Sequence, residues 1–222
     1  MRKRGAKPKG KVKIKWSPNF AYAIGLLATD GCLSKTKRHI IFVSKDLEQA
    51  ENFLKALDIT DIKIGKTFSG YNKSLAYRIQ FGDVLFYRFL NSIGLFKAKS
   101  KTIGELEVPV KFFFDFLRGC FDGDGTIYSY WDKRWRSSFM FYISFATASH
   151  KFMSWLRNSI YQRINVVGHV KKDGKGSTYQ LTYAKSDSLK ILRKMFKDKK
   201  ALSLTRKKLK IKKILTIVDK RL

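Results

Sequence analysis

Ala23-Ile-Gly-Leu-Leu-Ala-Thr-Asp-Gly31 recurs 94 residues further on as Leu117-Arg-Gly-Cys-Phe-Asp-Gly-Asp-Gly125. Each copy runs an apolar, glycine-bearing helix into an Asp-Gly, with Gly25 and Gly119 at matching places. A helix apolar on nearly every side is a buried helix, and small residues at matched positions let two such helices approach closely. Packing alone reads the pair as a domain interface, with Gly31 and Gly125 as C-terminal caps. The carboxylates add a second reading. Asp30 and Asp124 stand at helix C-termini, where the macrodipole opposes negative charge, and a tight helix pair brings them together. A hard divalent cation, shared with water and phosphate oxygens, suits that position. Asp122 has Ala28 as its counterpart, so it lies outside any symmetric site and reads as a local cap or a motif relic.

The composition names the partner class. The 222 residues carry 47 Lys+Arg against 17 Asp+Glu, a net charge of +30, and 44% hydrophobic content supports a core. A polyanion is the natural partner, because each phosphate neutralised releases counterions. No apolar run approaches the roughly 18 residues that span a bilayer, so a membrane role is not expected. Cys32 and Cys120 form no disulfide framework or zinc spacing, and His39, His150 and His169 are too scattered to suggest a nitrogen-ligated metal. Residues 1–15 hold eight Lys or Arg and no acid. This segment, 1–16, reads as a basic arm for DNA backbone, a solvated tail or a nuclear address rather than a secretory signal. A prokaryotic cytoplasm or nucleoid, or an organelle matrix, is the expected location.

Ser17-Pro18 starts the first helix. The apolar periods then predict strands within 32–44, a helix over 46–57 with Leu47, Ala50, Phe53, Leu54 and Leu57 on one buried face, strands over 62–68 and 75–81, and a helix from Val84. The same order returns over 110–122, 126–130, 139–146, 150–160, 166–171, 178–183 and 186–196, followed by a basic amphipathic run over 202–218. The fold class is therefore α+β, a tandem duplication with halves at 17–104 and 110–222 joined by a linker at 105–109.

Read place by place, the two motifs resemble the twin motifs of the LAGLIDADG homing endonucleases, keeping Gly third, Asp eighth and Gly ninth. The approach Lys99-Ser-Lys-Thr-Ile-Gly-Glu-Leu-Glu-Val-Pro109 resembles the family's usual entry to its second motif. The resemblance implies two pseudo-symmetric αββαββα halves whose antiparallel four-stranded sheets form a DNA-binding saddle. It implies Mg²⁺, with Mn²⁺ or Ca²⁺ in the same places, held by Asp30 and Asp124 and the backbone of Gly31 and Gly125. It further implies a monomer that cuts both strands and leaves four-nucleotide 3′ overhangs. Candidate catalytic bases and charge partners are Lys45 beside Ser44, Lys99 or Lys101, and Arg206 or Lys207; Thr147 matches Ser44, and Ala148 stands where Lys45 would repeat. A phosphate-positioning role for each lysine stays open.

The strands carry the expected reading face. Phe139, Phe141, Ile143 and Phe145 alternate with Ser138, Met140, Tyr142 and Ser144; Tyr77, Ile79 and Phe81 alternate with Arg78 and Gln80; Tyr179, Leu181 and Tyr183 alternate with Thr178, Gln180 and Thr182. The polar members face either bases or water. The DNA-facing set also takes in Ser34, Thr36, Arg38, His39, Lys63, Lys66, Tyr128, Tyr130, Arg134, Arg136, His169 and Lys171. Two competing functions share the scaffold: an intron-RNA maturase and a non-cutting DNA-binding regulator. Since no splicing-domain sequence flanks the halves, a free-standing intron-encoded enzyme is expected rather than an intein.

Overall fold

Ser17 and Pro18 begin the first helix as expected. In the computed structural model, which describes residues 10–69, 74–135, 138–174 and 176–219, the Ser17 hydroxyl accepts the Phe20 N–H at 3.1 Å and α1 spans Pro18–Asp30. The first half continues through β1 (Gly31–Leu33), β2 (His39–Ser44), α2 (Leu47–Ala56), β3 (Gly65–Ser69), β4 (Ser74–Gly82) and α3 (Val84–Ser92). The second repeats the order: α4 (Phe113–Asp124), β5 (Gly125–Trp131), β6 (Phe139–Thr147), α5 (His150–Ile164), β7 (His169–Lys172), β8 (Tyr179–Tyr183) and α6 (Lys185–Met195), with α7 (Thr205–Asp219) added at its end. Both sheets are antiparallel and share one topology, β1-β2-β4-β3 and β5-β6-β8-β7. The fold is the α+β tandem repeat read from the sequence.

Helices α1 and α4 lie against each other at the centre, and every residue from Phe20 to Ala28 is buried. Their separation is set by glycine. A Cβ on Gly25 would sit 2.1 Å from the Phe116 carbonyl oxygen, and one on Gly119 2.1 Å from that of Tyr22. Gly31 and Gly125 cap the two helices as expected, their N–H groups donating to the Leu27 and Phe121 carbonyls, and with extended backbones at φ −81 they open β1 and β5. Glycine is needed there for space, since a Cβ would come within 2.6 Å of the Leu27 carbonyl oxygen or 2.5 Å of Phe121.

The helix-facing rows Phe139, Phe141, Ile143 and Phe145, Ile79 and Phe81, and Leu181 and Tyr183 are buried, with Tyr77 and Tyr179 half-buried. Four expectations change. Ser144 is only 2% exposed, because Gln180 covers it and donates to its hydroxyl at 3.2 Å. Lys66 pairs with Tyr77, so strand alternation puts it on the opposite face from Arg78 and Gln80. Lys63 precedes β3 rather than lying within it, since Ile62 and Ile64 pack on the core in an irregular segment. Leu47, expected on the buried stripe of α2, is 41% exposed at the helix's first residue. Arg136 lies outside the described residues. The connection between halves is held rather than loose: Ile103 and Leu106 are buried and Glu107 N–H donates to the Ile93 carbonyl at 3.0 Å.

Candidate active site at the paired helix ends

Because α1 and α4 pack along their length, their C-termini finish side by side. A Cβ on Gly123 would fall 2.0 Å from Thr29 Oγ1 and 2.8 Å from Asp30 Oδ2, so the Asp30 carboxylate reaches the residue preceding Asp124. Burial pushes the Asp30 carboxyl up to about 7, the Asp124 charge pushes in the same direction, and Lys99 opposes both. Asp124 is open to solvent at its tip, yet desolvation still raises its pKa against the pull of Lys99 and Lys207. Two carboxylates are thus held where neither ionises comfortably.

Lys99 is 6% exposed and donates from Nζ to the Thr29 carbonyl at 3.0 Å, at the end of α1. Burial lowers its pKa, while Asp30 and Asp124 raise it. Lys207 performs the matching task on α4. It is 7% exposed, and its ammonium donates to the carbonyls of Phe121, Asp122 (2.9 Å) and Gly125 (2.7 Å). Desolvation lowers it to about 8. The sequence offered pairs of candidates, and the structure places one of each at the helix ends. Lys101 is exposed, Arg206 is ion-paired with Asp46 at 2.8 Å, and Lys45 is exposed past β2. Gly31 opens β1, whereas the Gly125 carbonyl is engaged by Lys207, which sets any cation there against the lysine's charge.

Sequence reading missed Gln49. Its amide donates to Asp30 Oδ2 at 3.2 Å, and its carbonyl accepts from the Ser44 hydroxyl at 2.7 Å. The second half repeats only the turn: Ser44 Oγ accepts Asp46 N–H at 3.0 Å, as Thr147 Oγ1 accepts Ser149 N–H at 3.2 Å. With Ser44 aligned to Thr147, Phe152 occupies the place of Gln49. The only signal in the sequence was a glutamine within the first turns of an amphipathic helix. Asp122 is also more than a relic. Fully buried, it accepts from the Tyr22 hydroxyl and the Leu204 N–H, both at 2.8 Å, and so ties α1 and the entry to α7 onto α4.

A cavity of about 270 Å³ opens beside the helix ends, lined by Thr29, Lys99, Asp124, Thr147 and Thr178 among others. No group of three or more His, Cys, Asp or Glu gathers among the described residues. Two hard carboxylates with an open side fit a hard cation that completes its shell with water and phosphate.

Around the site, the predicted reading residues fall in three groups. On the sheet faces turned away from the helices are Arg78 and Gln80, hydrogen-bonded to each other, then Tyr128, Tyr130, Met140, Tyr142, Gln180 and Thr182, with His169 and Lys171 in register beside the last two. The β1–β2 turn joins Ser34, Thr36 and His39 by contacts of 2.6 and 3.0 Å, next to exposed Arg38. Thr178 precedes β8, Ser138 donates to Met140 Sδ at 3.6 Å, and Arg134 is ion-paired with Asp132 at 3.1 Å.

Two packed motif helices, each delivering an Asp-Gly into the first strand of its own four-stranded sheet, define the two-motif LAGLIDADG class. The family model described as LAGLIDADG endonuclease matches residues 117–218, which begin at the second motif. Over those residues the sequence matches the LAGLIDADG family, and the fold of the whole chain is consistent with the single-chain, two-motif form. Similar folds include full-length DUF199/WhiA from Thermatoga maritima (16% identity, TM-score 0.60), with 95% of this chain and 63% of that one covered. They also include the I-LtrWI LAGLIDADG homing endonuclease bound to target DNA (11% identity, 92% and 91% covered, TM-score 0.60). I-DmoI in complex with DNA and Mn follows at 14% identity, 82% and 97% covered, and TM-score 0.51. At these identities the likeness establishes the fold. None of the curated proteins has a matching sequence, and no helix among the described residues is long and apolar enough to cross a membrane.

Proposed function

We propose that the chain is a site-specific DNA endonuclease of the homing type, making a divalent-metal-dependent double-strand break in a long asymmetric target. One observation carries this reading: Asp30 and Asp124 share one corner of the molecule, with Asp30 raised to about 7 by burial and by its neighbour. A helix interface gains nothing from that arrangement, since an amide or a glycine would end each helix without the electrostatic cost. A net charge of +30 supplies affinity for duplex phosphate, and similar folds are known bound to DNA, one of them with Mn.

The Asp30 and Asp124 carboxylates would hold Mg²⁺ together with water and phosphate oxygens. When bound, Mg²⁺ supplies charge neutralisation at the scissile phosphates and a water of lowered pKa. The chain's own residues prepare that site. Gln49 fixes one oxygen of Asp30, Lys99 lends positive charge to both carboxylates, and Lys207 locks the end of α4. Each Asp serves one strand, and unequal halves imply unequal half-sites. A monomeric protein leaving four-nucleotide 3′ overhangs follows from the family resemblance.

The likeness to DUF199/WhiA, a protein not described as an endonuclease, favours a second reading: a non-cutting DNA-binding regulator on the same scaffold. Selection of cleaved molecules from a randomised duplex library with Mg²⁺, in parallel with the Asp30→Asn, Asp124→Asn double variant, decides between them. Enrichment of one long asymmetric site cut by the wild type alone supports the endonuclease. Enrichment of bound but intact duplex supports the regulator.

A further inference from the structure

The outer layer of β5 and β6 is built of rings. Tyr128 pairs with Tyr142, and Tyr130 with Met140. The Tyr128 and Tyr142 rings stack 5.0 Å apart at 14°, and those of Tyr130 and Tyr142 lie 6.2 Å apart at 12°. Tyr128 and Tyr130 are 40% and 47% exposed. Tyr130 and Tyr142 hydrogen-bond each other, which raises the Tyr142 pKa. The layer therefore offers ring surface and the Met140 thioether more than free hydrogen-bonding heads. The seven residues of β5 and nine of β6 include no Lys, Arg, Asp or Glu, in a chain of net charge +30. Cationic and polar residues lie at the ends of the plate instead: His169, Lys171 and Gln180 toward the Asp124 end, level with Ser144 and Ala146, and Arg134, ion-paired with Asp132, at the hairpin.

An apolar plate with basic residues at its ends fits a duplex whose groove floor carries an apolar group. In the major groove that group is the thymine C5 methyl. Building on the DNA-binding reading above, we propose that Tyr128, Tyr130, Met140 and Tyr142 select thymine by its methyl in one half-site, whereas Arg78 and Gln80 select purine edges in the other. Strand geometry fixes where. β5 leaves Asp124 at about 3.3 Å per residue, so Tyr128 and Tyr130 lie about 13 and 20 Å along it, or about four and six base-pair steps.

The test begins with selection of bound duplexes by the full chain in EDTA, which needs no cutting. Thymines should be enriched about four to six pairs from the centre of one half-site only. Replacing them with deoxyuridine removes the methyl alone and should weaken binding about fourfold per buried methyl. The same replacement in the other half-site should change little. Tyr142→Ala and Met140→Ala should bring the thymine-to-uracil ratio toward one, whereas Arg78→Ala should lower affinity and leave the ratio. Unchanged wild-type affinity for the uracil duplex overturns the proposal while leaving duplex selectivity as its own result; a stronger preference for single strands overturns both. Failure to select any duplex sequence overturns the DNA-binding reading, and this proposal with it.

Discussion

Gly25 and Gly119 face each other across the α1–α4 interface so closely that neither position has room for a methyl group. A Cβ on Gly25 would lie 2.9 Å from the Gly119 Cα as well as 2.1 Å from the Phe116 carbonyl oxygen. The obstructing atoms are backbone, so they cannot swing aside. Gly25→Ala and Gly119→Ala should each destabilise the fold by about 3 kcal/mol or more, as overpacking of a rigid contact does. Urea denaturation reads this directly, and an unchanged midpoint would mean that the helices do not pack as described. Gly104→Ala, where a Cβ meets nothing within 4 Å, is the control.

Stability without divalent metal should depend on pH through Asp30. Its carboxyl titrates at about 7 in the fold and at an ordinary 3.8 when exposed. Between those values the native state holds a proton that the unfolded chain has lost. Its stabilising contribution is therefore complete below about pH 4 and is lost as pH rises through 7. In EDTA, Asp30→Asn should be more stable than wild type at pH 8, with the difference shrinking toward pH 4. A difference that holds constant across this range would show that Asp30 is not crowded by Asp124 and its surroundings.

The tandem fold, both motif helices and the two aspartates were legible because each rests on local patterns repeated twice: a helix apolar all round, a glycine, an Asp-Gly, alternating strands. What escaped was long-range or conditional on register. Gln49 reaches Asp30 only because α2 packs beside the end of α1, and Asp122 meets Tyr22 and Leu204 only in the folded chain. Lys66 is misread by a single strand step, since Ile62 and Ile64 extend the apolar pattern past the true start of β3. Lys99 and Lys101 are indistinguishable by type, and only the turn between them decides which is buried.

Lys207 should be a structural linchpin whose removal costs stability more than affinity for DNA. Its ammonium satisfies several carbonyls at the end of α4, among them Asp122 at 2.9 Å and Gly125 at 2.7 Å. Lys207→Met keeps the stem and strands those acceptors, a loss of about 2 kcal/mol. Lys208→Met, one residue on, should leave the denaturation midpoint in place, since the ammonium of that lysine donates to the exposed Lys199 carbonyl and not to the buried end of α4. Equal midpoints for the two variants would remove Lys207 from this role.

Cleavage of the two strands should be unequal, and Gln49 should control one of them. Asp30 has its Oδ2 anchored by the Gln49 amide at 3.2 Å, while the residue at the corresponding position of the second half is Phe152, which has no amide to donate. Losing an outer partner of a metal-binding carboxylate costs about tenfold or more. Gln49→Leu should therefore slow one nick on a supercoiled target plasmid, so that open circles accumulate before linear product, and strand-specific end labels should assign the slow strand consistently. Gln49→Glu places a third carboxylate beside Asp30 and should raise the Mg²⁺ concentration at which that strand is cut rather than restore it, because the donated amide hydrogen is gone. Equal slowing of both strands would make Gln49 a general packing residue of α2, with no separate claim on the Asp30 site.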